Sequence, residues 1–183
     1  EHLHSLLDGM PHGAKVMLLA FESFRDSSGA TDWRRTTFHT PNNYARDLAR
    51  EFPARFEWVA SIHPHRNDCV TELRRSKQDG ARAVKWLPSA MGIDPAAKKC
   101  DEFYAAMAEL NLPLITHAGH EAAVDVGAGQ AFGNPLLLRR ALDHGVRVVV
   151  AHCATLGKDR DIDKSPNGQW VDSLQLFDRL MHE

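Results

Sequence analysis

The sequence predicts an α/β domain built on a parallel β-sheet that is covered by helices. Apolar segments of strand length alternate along the chain with amphipathic segments of helix length, which is the pattern of consecutive βαβ units. The strand segments are apolar at nearly every position, as in strands buried on both faces. Helix-to-strand connections are short and strand-to-helix connections are long. The long loops therefore collect at one edge of the sheet, where ligands of such folds bind.

Five strands are predicted, and three of them end on a chargeable or metal-binding side chain. The third strand ends on Lys85, the fourth on His117 and the fifth on His152. Because parallel strands end at the same edge of a sheet, these three side chains are expected to lie near one another. The predicted strands span residues 14–21, 56–63, 81–85, 112–117 and 146–152.

Six amphipathic helices are predicted around the strands. Turn residues mark their ends: Asn134 is expected to cap one of them, and Gly145 to close it in a left-handed conformation. In the last helix, Leu174, Phe177 and Met181 share one side and are expected to face the core. The helices are predicted to begin near residues 2, 41, 68, 101, 135 and 173.

Composition restricts the class of protein. The chain has 183 residues, of which 43% are apolar and 25% charged, the balance of an ordinary globular domain with its own core. The formal net charge of −2 provides no basic surface for nucleic acid or for a membrane. No apolar run reaches the roughly 20 residues of a membrane-spanning helix. The three cysteines form no Cys-x-x-Cys pair, which predicts free thiols and a cytoplasmic protein.

The histidines at the strand ends are the main candidates for chemistry. His117 follows the apolar segment 112–116 and precedes Ala118 and Gly119, so its ring is expected to stay open above the sheet. Neutral imidazole is a common ligand of Zn²⁺. The alternative is a ring that only bonds neighbouring backbone, and the repetition of the arrangement at His152 weighs against that alternative.

Lys85 is unusual because lysine is seldom buried without a partner. Four interpretations remain open for it. It pairs with a carboxylate, binds an anionic substrate, is carbamylated into a metal-bridging ligand, or reaches solvent along the rim of the sheet.

Further residues lie at the same predicted edge. His63 ends the second strand, and Trp86 and Glu121 follow the third and fourth strands. We assign these three to substrate binding as a hypothesis, against the simpler interpretation of core packing for the histidine and tryptophan and of a solvated loop for the glutamate. His2 and His4 have the His-x-His spacing of a metal pair, but their surroundings favour a helix over residues 2–10.

Several well-known motifs are absent from the sequence. It contains no Gly-x-Gly-x-x-Gly after a strand, no phosphate-binding Walker loop and no Gly-x-Ser-x-Gly elbow. Their absence disfavours dinucleotide-dependent enzymes, nucleotide triphosphatases of the P-loop type and serine hydrolases.

The order Lys85, His117, His152 on successive strands resembles the amidohydrolase superfamily, in particular the amidohydrolase-2 group with its aminocarboxymuconate-semialdehyde-decarboxylase-like members. The segments that carry the resemblance are residues 80–88, 112–119 and 149–153, with residues 55–64 fitting as a preceding strand.

The resemblance implies a (β/α)₈ TIM-type barrel that holds one or two divalent metal ions, most often Zn²⁺. It implies that His117 is a metal ligand and that Lys85 is the lysine of the fourth barrel strand, bridging two metals or acting in catalysis. His152 corresponds to a histidine that is a metal ligand in some members and a general acid or base in others. The implied activity is hydrolysis of a small organic substrate by a metal-activated water, with decarboxylation as the alternative.

The chain departs from that family pattern in its extent. Residues 1–183 are expected to form one partial barrel domain with about strands 2 to 6, without the His-x-His of strand 1 and the aspartate of strand 8. A five-stranded arc leaves two open sheet edges, so we expect poor stability or homo-oligomerisation. Two other interpretations stay open: an inactive segment that binds only metal or a partner chain, and a metal-free α/β protein that grips its ligand with the strand-end residues.

Overall fold

The computed structural model describes residue 5 and residues 7–183. Five parallel strands form one continuous series in chain order: the first pairs with the second, an isolated parallel bridge joins Ala60 to Val84, and the third, fourth and fifth pair in turn. This arrangement confirms the predicted parallel α/β architecture. In the described part of the chain the first and last strands do not pair with each other, so the series does not close into a barrel. The strands are β1 (Val16–Leu19), β2 (Phe56–Val59), β3 (Val84–Trp86), β4 (Leu114–His117) and β5 (Val148–Ala151).

Helices follow most strands, as expected of βαβ units. Asn134 caps the segment after β4 by accepting a hydrogen bond from the N–H of Leu136, and Gly145 has a φ of +77°, as predicted. Short 3₁₀ segments occupy residues 98–100, 127–133, 135–138 and 152–154. The α-helices are α1 (Asn42–Glu51), α2 (Cys69–Gln78), α3 (Pro88–Met91), α4 (Asp101–Glu109), α5 (Arg139–Asp143) and α6 (Ser173–Met181).

The predicted N-terminal helix cannot be compared in full. Residues 1–4 and 6, among them His2 and His4, lie outside the described residues. In the part that the structure describes, no helix has the length and apolar character needed to cross a membrane.

The loop after β5 holds an antiparallel hairpin that the sequence did not predict. It consists of β6 (Lys158–Arg160) and β7 (Trp170–Asp172). Residues 158–160 are all charged, and both strands are only three residues long, so neither shows the alternation of apolar and polar residues that signals a strand.

The core lies between the outer face of the sheet and the helices. Trp86 stacks on Phe103 of α4, with ring centroids 5.2 Å apart, and both side chains are fully buried. The predicted burial of every strand on both faces was wrong for β1 and β5, where Met17 is 48% and Val149 52% exposed. β1 and β5 are the first and last of the five parallel strands, so each lacks a neighbouring strand on one side in the described chain. The described chain therefore leaves part of the inner face of the sheet uncovered.

The predicted inner face of α6 was wrong for Leu174 and Met181, whereas Phe177 is half-buried and packs against the cluster around Leu138, as predicted. Leu176 and Leu180 are buried, whereas Leu174 is 45% and Met181 65% exposed. The sequence carries two apolar stripes with nearly the same helical spacing, and contact with the cluster around Leu138 decides which stripe is buried.

Candidate functional site

Strand register brings the candidate residues to one edge of the sheet. Lys85 pairs with Ile115, and His117 pairs with Ala151, the residue before His152. The rings of His117 and His152 lie with centroids 5.8 Å apart. Because side chains alternate between the two faces of a strand, Lys85 and His117 project from the same inner face.

His117 is the centre of this group. Its Nε2 atom is buried and has no hydrogen-bond partner among the described residues. The closest acidic atom is Oε2 of Glu121, at 3.7 Å. Burial lowers the pKa of His117, the Glu121 carboxylate opposes that shift, and the charges of Lys85 and His152 add to it. The ring is therefore kept neutral, which is the form that binds metals.

Glu121 is held by its own loop. Its Oε1 atom accepts hydrogen bonds from the N–H groups of Ala123 at 2.6 Å and Val124 at 3.3 Å. The other carboxylate oxygen is thereby left on the side of His117. The side chain is 6% exposed, so this charge acts in a largely desolvated setting.

Lys85 is 6% exposed, and burial lowers the pKa of its amine to about 8, while the negative charge of Glu121 opposes the shift. Of the interpretations that the sequence left open, this geometry disfavours a side chain that reaches solvent. An amine with a lowered pKa is a better nucleophile and base at neutral pH, and its charge is sensitive to a bound ligand.

His152 lies at the start of a strained turn. His152, Cys153 and Ala154 have φ values of 61°, 52° and 49°, three consecutive non-glycine residues in the left-handed region. Each such residue costs about 1 kcal/mol or more. Ala154 is fully buried and anchors the turn, while His152 is exposed at the edge of the sheet.

Two of the predicted substrate residues lie outside the group. In His63, Nδ1 accepts the N–H of His65 at 3.1 Å and Nε2 bonds to the carbonyl of Met91 at 2.9 Å. Both ring nitrogens are therefore engaged, and burial lowers the pKa of His63 to about 3. Trp86 projects into the core and donates its indole N–H to the carbonyl of Ile62 at 2.8 Å.

The donor set agrees with part of a metal site. The unpartnered, buried Nε2 of His117 suits a metal ligand, because a buried nitrogen lone pair without a partner is unfavourable. Among the described residues, no cluster of three or more His, Cys, Asp or Glu side chains is arranged to hold a metal ion. His117 therefore fits as one ligand of a set that the described residues do not complete.

The structure also contains a cavity of 310 Å³ that the sequence did not predict, and none of Lys85, His117, Glu121 and His152 lines it. It lies between the loops that follow β1, β3 and β4, and Arg34, Arg35 and Ser89 line it. The signal available in the sequence was the pair of adjacent arginines in a long strand-to-helix loop. The hydroxyl of Ser89 gave no signal, because only the fold shows that it is buried without a hydrogen-bond partner.

Comparison with known proteins gives a family match. The sequence profile of a family described as amidohydrolase matches residues 5–173. No curated protein matches the chain.

Solved structures with a similar fold include enzymes and one uncharacterised protein. A 2,6-dihydroxybenzoate decarboxylase complexed with 2,6-dihydroxybenzoate matches with a TM-score of 0.58 and 14% identity over 84% of this chain and 56% of its own. A probable 2-pyrone-4,6-dicarboxylic acid hydrolase from Acinetobacter baumannii, with citric acid bound, matches with a TM-score of 0.54 and 14% identity over 91% of this chain and 66% of its own. An uncharacterised TIM-barrel protein from Bordetella bronchiseptica matches with a TM-score of 0.54 and 18% identity over 74% of this chain and 45% of its own.

These identities establish the fold alone. The chain spans between 45% and 66% of the length of the three proteins. The similarity to TIM-barrel proteins agrees with the barrel-type architecture predicted from the sequence.

Proposed function

Because the chain belongs to the amidohydrolase family, we propose that it carries metal-binding and proton-transfer residues of a metal-dependent hydrolase that acts on a small organic substrate. The observation that supports this proposal best is the buried, unpartnered Nε2 atom of His117 beside the Glu121 carboxylate. Its setting favours the neutral, metal-binding form of the ring, and the adjacent negative charge favours a bound cation.

Each residue of the group has a role in this proposal. His117 is a metal ligand. His152 is a second ligand or moves a proton to or from the substrate, a role that suits its exposed position. Lys85, if carbamylated, would help to hold two metal ions, and as a free amine it would bind an anionic substrate. A divalent ion, Zn²⁺ in our proposal, would supply Lewis acidity and lower the pKa of a bound water to about 7.

Decarboxylation is the second candidate reaction. The protein that matches with a TM-score of 0.58 is named a decarboxylase, and the hydrolase from Acinetobacter baumannii matches with 0.54. Both names refer to carboxylic acids built on a six-membered ring. The same group of residues suits either reaction, since each requires a metal to hold the acid and a side chain to transfer a proton.

Activity measurements on the purified chain test the proposal. The chain is treated with a chelator, reloaded with Zn²⁺, and assayed for hydrolysis of 2-pyrone-4,6-dicarboxylate and for CO₂ release from 2,6-dihydroxybenzoate. We expect turnover of one acid that depends on metal and falls at least about 100-fold in His117→Asn. His144→Asn is the control, because its ring bonds the carbonyl of Arg140, away from the site. Turnover that survives both chelation and His117→Asn would refute the proposal, and bound metal without turnover would favour an inactive binding segment.

A further inference from the structure

The carboxyl ends of β1, β2 and β3 are joined through one buried hydroxyl. Ser61 lies just past the end of β2 and is 1% exposed. Its Oγ atom donates a hydrogen bond to the carbonyl of Lys85 at 2.8 Å and accepts the N–H of Glu22, which follows β1, at 2.9 Å. The hydroxyl therefore serves as donor to one neighbouring strand end and as acceptor to the other.

This hydroxyl stands in for a backbone bond of the sheet. β2 and β3 are joined by an isolated bridge between Ala60 and Val84, and the N–H of Lys85 donates to the carbonyl of Ala60 at 2.7 Å. In a regular parallel ladder the next bond would run from the N–H of Ile62 to the carbonyl of Lys85. That carbonyl is held by the Ser61 hydroxyl. Both backbone polar groups of Lys85 are thereby fixed to the segment that ends β2.

Asn42 holds Ser61 from its other side. It is the first residue of α1, and its Oδ1 atom accepts the N–H of Ser61 while its Nδ2 atom donates to the carbonyl of Ser61, both at 2.8 Å. One acceptor and one donor for the same residue are what a paired strand would offer. The N–H, the carbonyl and the hydroxyl of Ser61 are therefore all engaged, and the hydroxyl is kept on the Lys85 carbonyl.

The position of the Lys85 backbone matters because its amine belongs to the candidate site. The side chain is 6% exposed, and its charge interacts with those of Glu121 and His117. A lysine stem is flexible, so the place of its amine is defined only when the backbone that carries it is fixed.

We propose that Ser61 is a positioning residue of the candidate site and acts through the carbonyl of Lys85. Asn42 supports this role by holding the backbone of Ser61. The inference rests on the proposed function, because the position of Lys85 matters for turnover only in an enzyme that uses this lysine. A misplacement of about 1 Å in such a site lowers the rate by about 100-fold.

Acetylation of the metal-free chain tests the positioning without metal or turnover. The chain is treated with a chelator and acetic anhydride, and mass spectrometry compares the rate at Lys85 with that at the exposed Lys77. We expect Ser61→Ala to speed acetylation of Lys85 at least about fivefold, because the released carbonyl lets the lysine reach solvent. Ser61→Thr keeps the hydroxyl and is expected to stay within about twofold of the wild type.

Two controls separate this effect from general loosening of the fold. Ser173→Ala also removes a buried hydroxyl that donates a hydrogen bond, to Asp159 at 2.6 Å, and it should leave acetylation of Lys85 unchanged. Cys100 is fully buried, and its reaction with N-ethylmaleimide should stay as slow in Ser61→Ala as in the wild type.

A second variant tests the same contacts if Ser61→Ala does not fold. Asn42→Ala removes both bonds to the Ser61 backbone from a half-buried position at the start of α1. It is expected to speed acetylation of Lys85 at least about twofold. Circular dichroism confirms that each variant is folded.

Turnover connects the positioning to the proposed function. With whichever acid the chain turns over, Ser61→Ala is expected to lower kcat at least about tenfold and to change KM less than about twofold. Ser61→Thr is expected to restore most of kcat, because the hydroxyl and its bond to the Lys85 carbonyl are kept.

The proposal is overturned if the folded variant acetylates Lys85 at the wild-type rate, if Ser173→Ala speeds it equally, or if Cys100 becomes reactive to the same extent. An unchanged kcat in Ser61→Ala would overturn it as well. A chain that turns over neither acid but shows the expected acetylation would remove the proposed function and leave Lys85 fixed by Ser61. Turnover with unchanged acetylation would do the reverse.

Discussion

The Nε2 atom of His117 lies 3.7 Å from the Oε2 atom of Glu121, and no hydrogen bond joins them. The distance is too long for a hydrogen bond between nitrogen and oxygen. The other oxygen of Glu121 is fixed by the N–H groups of Ala123 and Val124. The pair therefore consists of a buried nitrogen and a positioned negative charge that both remain available to a ligand.

This relationship predicts the effect of neutralising Glu121. Glu121→Gln keeps the shape of the side chain and its contact with the loop but removes the charge beside His117. We expect the apparent affinity for Zn²⁺ to fall about tenfold or more, the usual size of such an effect near a metal ligand. Asp125→Asn is the control, an exposed acid of the same loop. If Glu121→Gln and Asp125→Asn lose the same affinity for Zn²⁺, the effect comes from the overall charge of the protein and not from the position of Glu121.

Gly119 is predicted to position the turn that carries His152. It has a φ of +85°, and a Cβ added to it would lie 2.8 Å from the carbonyl oxygen of Leu156 and 3.2 Å from Ala154. Gly80 has a similar φ of +88° with nothing within 4 Å. We expect Gly80→Ala to lower the free energy of unfolding by about 1–2 kcal/mol, and Gly119→Ala to lower it by about 1–3 kcal/mol more. Urea unfolding measures the free energy of unfolding of both variants. Equal losses in Gly80→Ala and Gly119→Ala would contradict the close contact of Gly119 with Leu156 and Ala154.

The left-handed turn after β5 predicts a stabilising substitution. Cys153 is exposed and has a φ of 52°, a conformation that glycine adopts without strain. Cys153→Gly is expected to raise the free energy of unfolding by up to about 1 kcal/mol. Thr155→Gly, two residues on at a φ of −71°, is expected to lower it by about 0.5–1 kcal/mol. The prediction fails if both glycine variants are less stable than the wild type.

His63 predicts part of the acid sensitivity of the fold. Burial lowers the pKa of His63 from 6.5 to about 3. Between these values the unfolded chain binds a proton that the folded chain does not, so the free energy of unfolding falls as the pH drops below about 6.5. One such group contributes a slope of up to about 1.4 kcal/mol per pH unit.

Unfolding curves between about pH 4.5 and 7.5 measure this contribution. His63→Asn keeps an acceptor for the N–H of His65 but cannot titrate, so its stability should change less with pH. Burial also lowers the pKa of His65 and of His117, and these contributions remain in the variant. Parallel curves for variant and wild type would show that His63 does not titrate on unfolding.

The arrangement of strands was predictable from the sequence because each apolar segment ends sharply at a polar residue. That pattern gave the parallel order of the strands and the proximity of His117 and His152. The alternation of side chains along a strand also carried information that the prediction did not use. Trp86 follows Lys85 directly and so must project from the opposite face, into the core.

The remaining features depend on contacts that no local pattern encodes. The position of Glu121 is set by backbone groups of its own loop, and the buried stripe of α6 by its fit against the cluster around Leu138. The three free cysteines agree with the prediction of no disulfide framework. The roles assigned to Lys85, His117 and His152, and the substrate-binding roles of His63, Trp86 and Glu121, stay predictions.

The most direct test of the account is the response of the His117 ring nitrogens to Zn²⁺. Long-range ¹H–¹⁵N correlation spectra identify Nε2 and Nδ1, with His117→Asn providing the assignment. The account predicts that Zn²⁺ moves the Nε2 resonance of His117 to the position of a metal-bound imidazole while that of His63 stays unchanged. If Zn²⁺ leaves the Nε2 resonance of His117 where it is, His117 is not a metal ligand and the proposed site is wrong.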